Sequence, residues 1–103
     1  MAKGYWVAFA DLTDPEGYKA YVQENANAFK KYGGRFLVRG GPSEALEGET
    51  RSRTVVIEFP TYEAALQCYR SPEYAKAMAL RQGKAIMDLV VVQGHEGPQP
   101  ADS

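Results

Sequence analysis

The stretch RTVVIEFPTYEAALQCYRSPEY, residues 53–74, decides the fold. Val55, Ile57 and Phe59 alternate with Thr54, Val56 and Glu58, so residues 53–59 predict a strand with two distinct faces. Pro60-Thr61 ends that strand and caps a helix with an apolar stripe of Tyr62, Ala65, Leu66 and Tyr69. Ser71-Pro72-Glu73 repeats the cap-plus-proline signal, so the helix is expected to break and restart there. Tyr74, Ala75 and Met78 then continue the apolar face, with Arg81 one turn on.

Upstream, Tyr5, Val7 and Phe9 alternate with Trp6, Ala8 and Ala10. Both sets are apolar, which reads as a strand buried on both faces. Asp14-Pro15-Glu16 opens a long helix with Tyr18, Tyr21, Val22, Ala26, Phe29 and Tyr32 as its stripe. Lys30 and Lys31 complement its C-terminal dipole, and Gly33-Gly34 stops it. Arg35 to Arg39 is a second strand, closed by Gly40-Gly41-Pro42, which reads as turn geometry more readily than as an anion-binding nest. A polar connection leads to Arg51, and Met87 to Gln93 forms the last strand. The order βαββαβ predicts an α+β, ferredoxin-like sandwich. It has a four-stranded antiparallel sheet, both helices on one face, and the first and third strands in the centre. Residues 1–96 are expected to be this single domain, with 97–103 a flexible C-terminal tail.

The composition narrows the function classes. Twelve Lys and Arg against 13 Asp and Glu give a net charge of -1, without the basic surplus of a nucleic-acid binder. No apolar run is long enough for a membrane span or a secretory signal, which points to a cytoplasmic protein with neither a membrane nor a nucleic acid as partner. Cys68 and His95 are each single, so no disulfide and no metal site is expected. Cys68 reads as a small buried residue and His95 as an exposed, non-catalytic one.

The two helices cover one face of the sheet only. With Tyr5, Val7 and Phe9 placed under them, the other face carries Trp6, Ala8, Ala10, Thr54 and Val56. That surface is too apolar for water, and its simplest cover is a second copy, so a homodimer through the sheet is expected. Glu58 alternates onto the same face, and Arg35 and Arg39 reach it if Phe36 and Val38 point to the helices. Two readings follow. Glu58 pairs with Arg35 or Arg39 and locks the ladder, or Glu58 and Arg39 line a cleft as acid–base group and anion anchor. Trp6 reads as a core or interface residue, or as the apolar wall of such a cleft. Arg53 pairs with Glu47 or Glu49 or joins the site. Tyr69 and Tyr74 flank the helix break and read as packing with satisfied hydroxyls; in the alternative, Tyr74 and Arg81 rim a cleft opened there, and Tyr69 is a further ligand-binding candidate.

The stretches GGRFLVRGG, LEG and RTVVIEFPTYEAALQCYRSPEY, with the later Arg81, resemble a small bacterial family of unknown function, numbered thirteen-thirty among such domains. The resemblance spans about residues 4 to 93. It implies the dimeric α/β-barrel superfamily, whose ferredoxin-like chains dimerise through their sheets. The matching positions are Arg39, Gly40, Gly41, Glu47, Gly48, Arg53, Glu58, Phe59, Tyr69, Ser71, Pro72, Tyr74 and Arg81. Cys68 departs from the pattern, standing where similar sequences often have Trp. The superfamily includes cofactor-free monooxygenases, muconolactone isomerases and haem-binding peroxidases and chlorite dismutases, so the fold does not select a reaction. The sequence supports a cofactor-independent enzyme or binding protein for a small anionic or carbonyl-bearing metabolite. The alternatives are a structural or regulatory dimer and, third, a haem protein.

Overall fold

The computed structural model describes residues 2–102. Strand β1 (Gly4–Leu12) is followed by helix α1 (Pro15–Tyr32), β2 (Arg35–Arg39), β3 (Arg53–Phe59), helices α2 (Tyr62–Tyr69) and α3 (Pro72–Leu80), and β4 (Ala85–Gln93). A short 3-10 turn, Pro100–Asp102, lies in the tail. The strands form one sheet in the order β2-β3-β1-β4, and every neighbouring pair is antiparallel.

The local signals act where the sequence puts them. The Asp14 carboxylate accepts from the Gly17 N–H at 3.0 Å with Pro15 at the first turn. Gly33 ends α1 in a left-handed conformation, φ 77°. Thr61 Oγ1 caps α2 through Ala64 N–H, and Ser71 Oγ caps α3 through Tyr74 N–H. Pro72 offers no N–H, so the two helices cannot run on as one.

The faces of β1 are the reverse of the expectation. Trp6, Ala8 and Ala10 lie under the helices and are buried. Tyr5, Val7 and Phe9 lie on the open face and are half-buried. The register sets Trp6 opposite Ile57 and Val91, and Ala8 opposite Val55 and Leu89. The reason is polar as well as apolar. The indole carries an N–H that needs a partner when buried, and Trp6 Nε1–H donates to the Ala65 carbonyl of α2 at 2.8 Å. Around it pack Tyr74, Phe29, Phe59 and Tyr69, with ring centroids 4.8–5.6 Å away. Ala8 and Ala10 are small enough for the tyrosines of α1 to descend over them.

A second correction concerns β2. A bulge between Phe36 and Val38 breaks the simple alternation. Phe36 pairs with Ile57 and Arg39 with Val55, so both face the helices, whereas Val38 pairs with Val56 on the open face. On α1 and α3, Ala26 and Ala75 are exposed and leave the expected stripes; Asn25, Ala28 and Ala77 hold the buried positions.

The open face is therefore built from Tyr5, Val7, Phe9, Thr54, Val56, Glu58, Val38, Ile86, Val90 and Val92. Val38, Ile86, Val90 and Val92 are 41–53% exposed. At one end of this face Arg51 bridges Asp11 (3.0 Å) and Asp88 (2.8 Å), which anchors the β2–β3 connection where it enters β3. No helix is long and apolar enough to cross a membrane among the described residues.

Replacing Trp6 by Phe removes the indole N–H from the Ala65 carbonyl and leaves a void under α2. The variant should lose about 2–3 kcal/mol of stability in urea denaturation, with a native-like far-UV spectrum.

Candidate functional site

Between α1 and the sheet lies a cavity of about 30 Å³ that opens toward β2. Its floor is Trp6, Ala8, Val55, Ile57 and Leu89 from the sheet. Its roof is the inner face of α1, with Tyr18, Tyr21, Asn25 and Phe29. Two guanidinium groups, Arg39 and Arg53, complete the lining, and none of the lining residues is acidic. The bulge in β2 is what turns Arg39 inward. It then stacks over the Phe36 ring, 4.1 Å from the centroid, and stays exposed at the rim. Arg53 starts β3 on the same face and reaches deeper. Its Nε–H is buried with no acceptor.

Gly40 makes room for Arg53. Its φ is 69° and its N–H donates to the Thr54 carbonyl at 2.8 Å. A Cβ at this position would overlap Nη1 of Arg53. The glycine after β2 thus serves the neighbouring guanidinium as well as the turn.

The hydroxyls of the roof are tied together. Tyr21 and Tyr74 share a hydrogen bond of 2.7 Å in the buried interior. Burial, and then the Tyr74 hydroxyl, push the Tyr21 phenol well above its ordinary value. Burial also raises Tyr18, although the Arg53 charge beside it pulls the other way. Both phenols therefore remain protonated at neutral pH. Burial works against the charge on Arg81, but the Tyr74 and Tyr21 hydroxyls outweigh it and raise its pKa. Its guanidinium lies 5.6 Å from the Tyr21 ring centroid.

Of the candidates from sequence, Trp6, Arg39 and Arg53 come together at the cavity. Tyr74, Tyr69 and Arg81 stand behind its lining. Tyr69 and Tyr74 pack on Trp6, and Tyr74 and Arg81 hold Tyr21. Glu58 is not brought to Arg39: it lies on the opposite face of the sheet, 3.2 Å from Lys3 Nζ and across the ladder from Arg35. Arg53 forms no ion pair with Glu47 or Glu49 among the described residues; its surroundings are Tyr18 and Gly40 instead. Tyr18, Tyr21 and Asn25 were not among the candidates. Asn25 had a signal, since it stands seven residues after Tyr18 on the stripe where an apolar residue is expected.

The remaining chemistry-bearing residues are apart from the cavity. Burial, with Glu73 adding to it, pushes the Cys68 thiol up to about 12, so it is protonated and unreactive at neutral pH. His95 is exposed beyond β4, with Nε2 3.3 Å from the Pro98 carbonyl. No cluster of metal-ligating side chains occurs among the described residues. A haem does not fit this cavity, which is far smaller than a porphyrin and has no histidine in its lining.

The architecture is that of the ferredoxin-like α+β proteins. The chain belongs to the family described as domain of unknown function DUF1330, whose model matches residues 3–95. No curated protein matches the sequence. A protein of unknown function from Rhodopseudomonas palustris is similar in structure, with a TM-score of 0.74, 21% identity, and coverage of 93% of this chain and 85% of that one. A cofactor-independent oxygenase from Streptomyces nogalater, SnoaB, has a TM-score of 0.62 at 10% identity, covering 94% and 97% of the two chains. A dimeric protein of unknown function and ferredoxin-like fold from Bacteroides fragilis has a TM-score of 0.53 at 15% identity, covering 88% and 95%. At these identities the likeness is one of fold.

Gly40→Ala should destabilise the protein by about 1–3 kcal/mol, from the positive φ and the collision with Arg53. The same change in an Arg53→Ala background should cost less, and a double-mutant cycle measured by urea denaturation gives the part due to the guanidinium.

Proposed function

We propose that this protein is a homodimer that binds a small anionic or carbonyl-bearing metabolite, without a cofactor, in the cavity between α1 and the sheet. The observation that carries this reading is Arg53. A guanidinium whose Nε–H is buried without an acceptor, beside a second arginine and with no lining carboxylate, is arranged for negative charge. Trp6 and its apolar neighbours would bound the inner end of the ligand, and Arg39 would close over its exposed end. Should the ligand carry a carbonyl, the two arginines would donate to its oxygen and polarise it. The cavity offers no carboxylate or imidazole base, and Glu58 lies on the far side of the sheet, so holding the anion is the role its geometry supports best.

The dimer would form through the open face. Val38, Val56, Val90 and Val92 there, with Tyr5, Val7 and Phe9, make a contiguous apolar surface of the kind that marks an interface. The dimeric Bacteroides fragilis neighbour supports the assembly. A second copy would leave both cavities intact on the outer, helical sides.

Sedimentation equilibrium should give twice the chain mass, and Val90→Lys should return it to a monomer. A mass of one chain in the wild type would overturn the dimer. In a thermal-shift screen of small organic anions, a ligand at a hundred times its dissociation constant should stabilise the wild type by about 2.7 kcal/mol. Arg53→Gln should abolish that shift. Silence across the screen would favour a purely structural dimer.

A further inference from the structure

Asn25 occupies the sheet-facing side of α1 and is 6% exposed. Its Oδ1 is buried and accepts no hydrogen bond. It lines the same cavity as Arg53, whose Nε–H is buried without an acceptor. An acceptor and a donor thus face one small space, and neither satisfies the other. Leaving such groups unpaired costs each of them its solvation, so the site is complete only with an occupant that serves both.

The chemistry of that occupant follows from the two groups and their surroundings. Arg53 and Arg39 call for an anionic oxygen. Asn25 Oδ1 calls for a donor close to it. An ammonium donor is disfavoured, because it would sit beside two guanidiniums with no acid in the lining to offset it. A hydroxyl is neutral and small, and the 30 Å³ of free space admits a group of about that size. The remaining lining is the apolar surface of Trp6, Phe29, Val55 and Leu89.

Building on the anion site proposed above, we infer that the ligand class is the hydroxy acids: a carboxylate held by Arg53 and Arg39, and a neighbouring hydroxyl that donates to Asn25. The hydroxyl takes the small free space beside Asn25, and the body of the molecule extends outward past the exposed rim at Arg39. Asn25 sets the choice among organic anions, and the arginines supply the attraction common to all of them.

Calorimetric titration of the full-length protein tests this with two matched series: propionate, lactate and alanine, and phenylacetate, mandelate and phenylglycine. In at least one series the hydroxy acid should bind about tenfold or more tightly than the plain acid, and the amino acid more weakly than either. Asn25→Leu places an apolar residue on an apolar stripe. It should keep the fold by circular dichroism and lose the preference for the hydroxyl, so that the hydroxy acid binds no more tightly than the plain acid. Equal binding of plain and hydroxy acids would overturn the hydroxy-acid assignment while leaving the anion site standing. An amino acid that binds as well as the hydroxy acid, or a hydroxyl preference that survives Asn25→Leu, would overturn it too. If none of the six acids binds, the anion site falls with it.

Discussion

The buried indole of Trp6 is the constraint on which the rest of the structure depends. An indole surrounded by four aromatic rings needs an acceptor for its N–H, and the Ala65 carbonyl supplies it. That bond places one face of β1 toward α2. Because side chains alternate along a strand, it also assigns every other residue of β1. Ala8 and Ala10 follow Trp6 inward, where their small size leaves space beneath Tyr18 and Tyr21. Tyr5, Val7 and Phe9 are turned outward, and with Val56, Val90 and Val92 they make the open face apolar. The cavity and the uncovered face are thus two consequences of one side-chain placement.

The positive charge at the cavity has a different origin. Arg39 points inward because β2 carries one extra residue at its bulge, and Arg53 points inward because it shares a face with Val55, Ile57 and Phe59. Gly40 lets the second guanidinium pass close to the backbone. The tyrosine pair behind the cavity keeps α1 seated on α3 through a single buried hydrogen bond. Charge, glycine and hydroxyls serve one small volume, while Glu58 balances Lys3 on the other side of the sheet.

Much of this was legible in advance. The element order, the break at Ser71-Pro72, the caps at Asp14, Thr61 and Ser71, and β3 with its two faces all follow from short-range patterns. These patterns report on backbone hydrogen bonding within a few residues, which a linear reading captures well. Trp6, Arg39 and Arg53 stand out in the sequence, and they line one cavity. Alternation alone sets Arg39 beside Glu58, and nothing in RFLVR announces the bulge that turns it to the other face. Asn25 is silent in the sequence, because a polar residue on a helical stripe reads as an interruption until its surroundings are known.

The α+β class, the strand and helix order and the family are written in the order of the amino acids. Local propensity, capping and periodicity are encoded residue by residue, and they survive without knowledge of distant contacts. Only the tertiary structure decided which face of β1 is inside, where Arg39 points, and that Asn25 and Arg53 share a cavity. A strand apolar on both sides has two nearly equivalent ways to lie. The choice between them is made by contacts such as Trp6 with Ala65, which are 59 residues apart and meet only when the chain is folded.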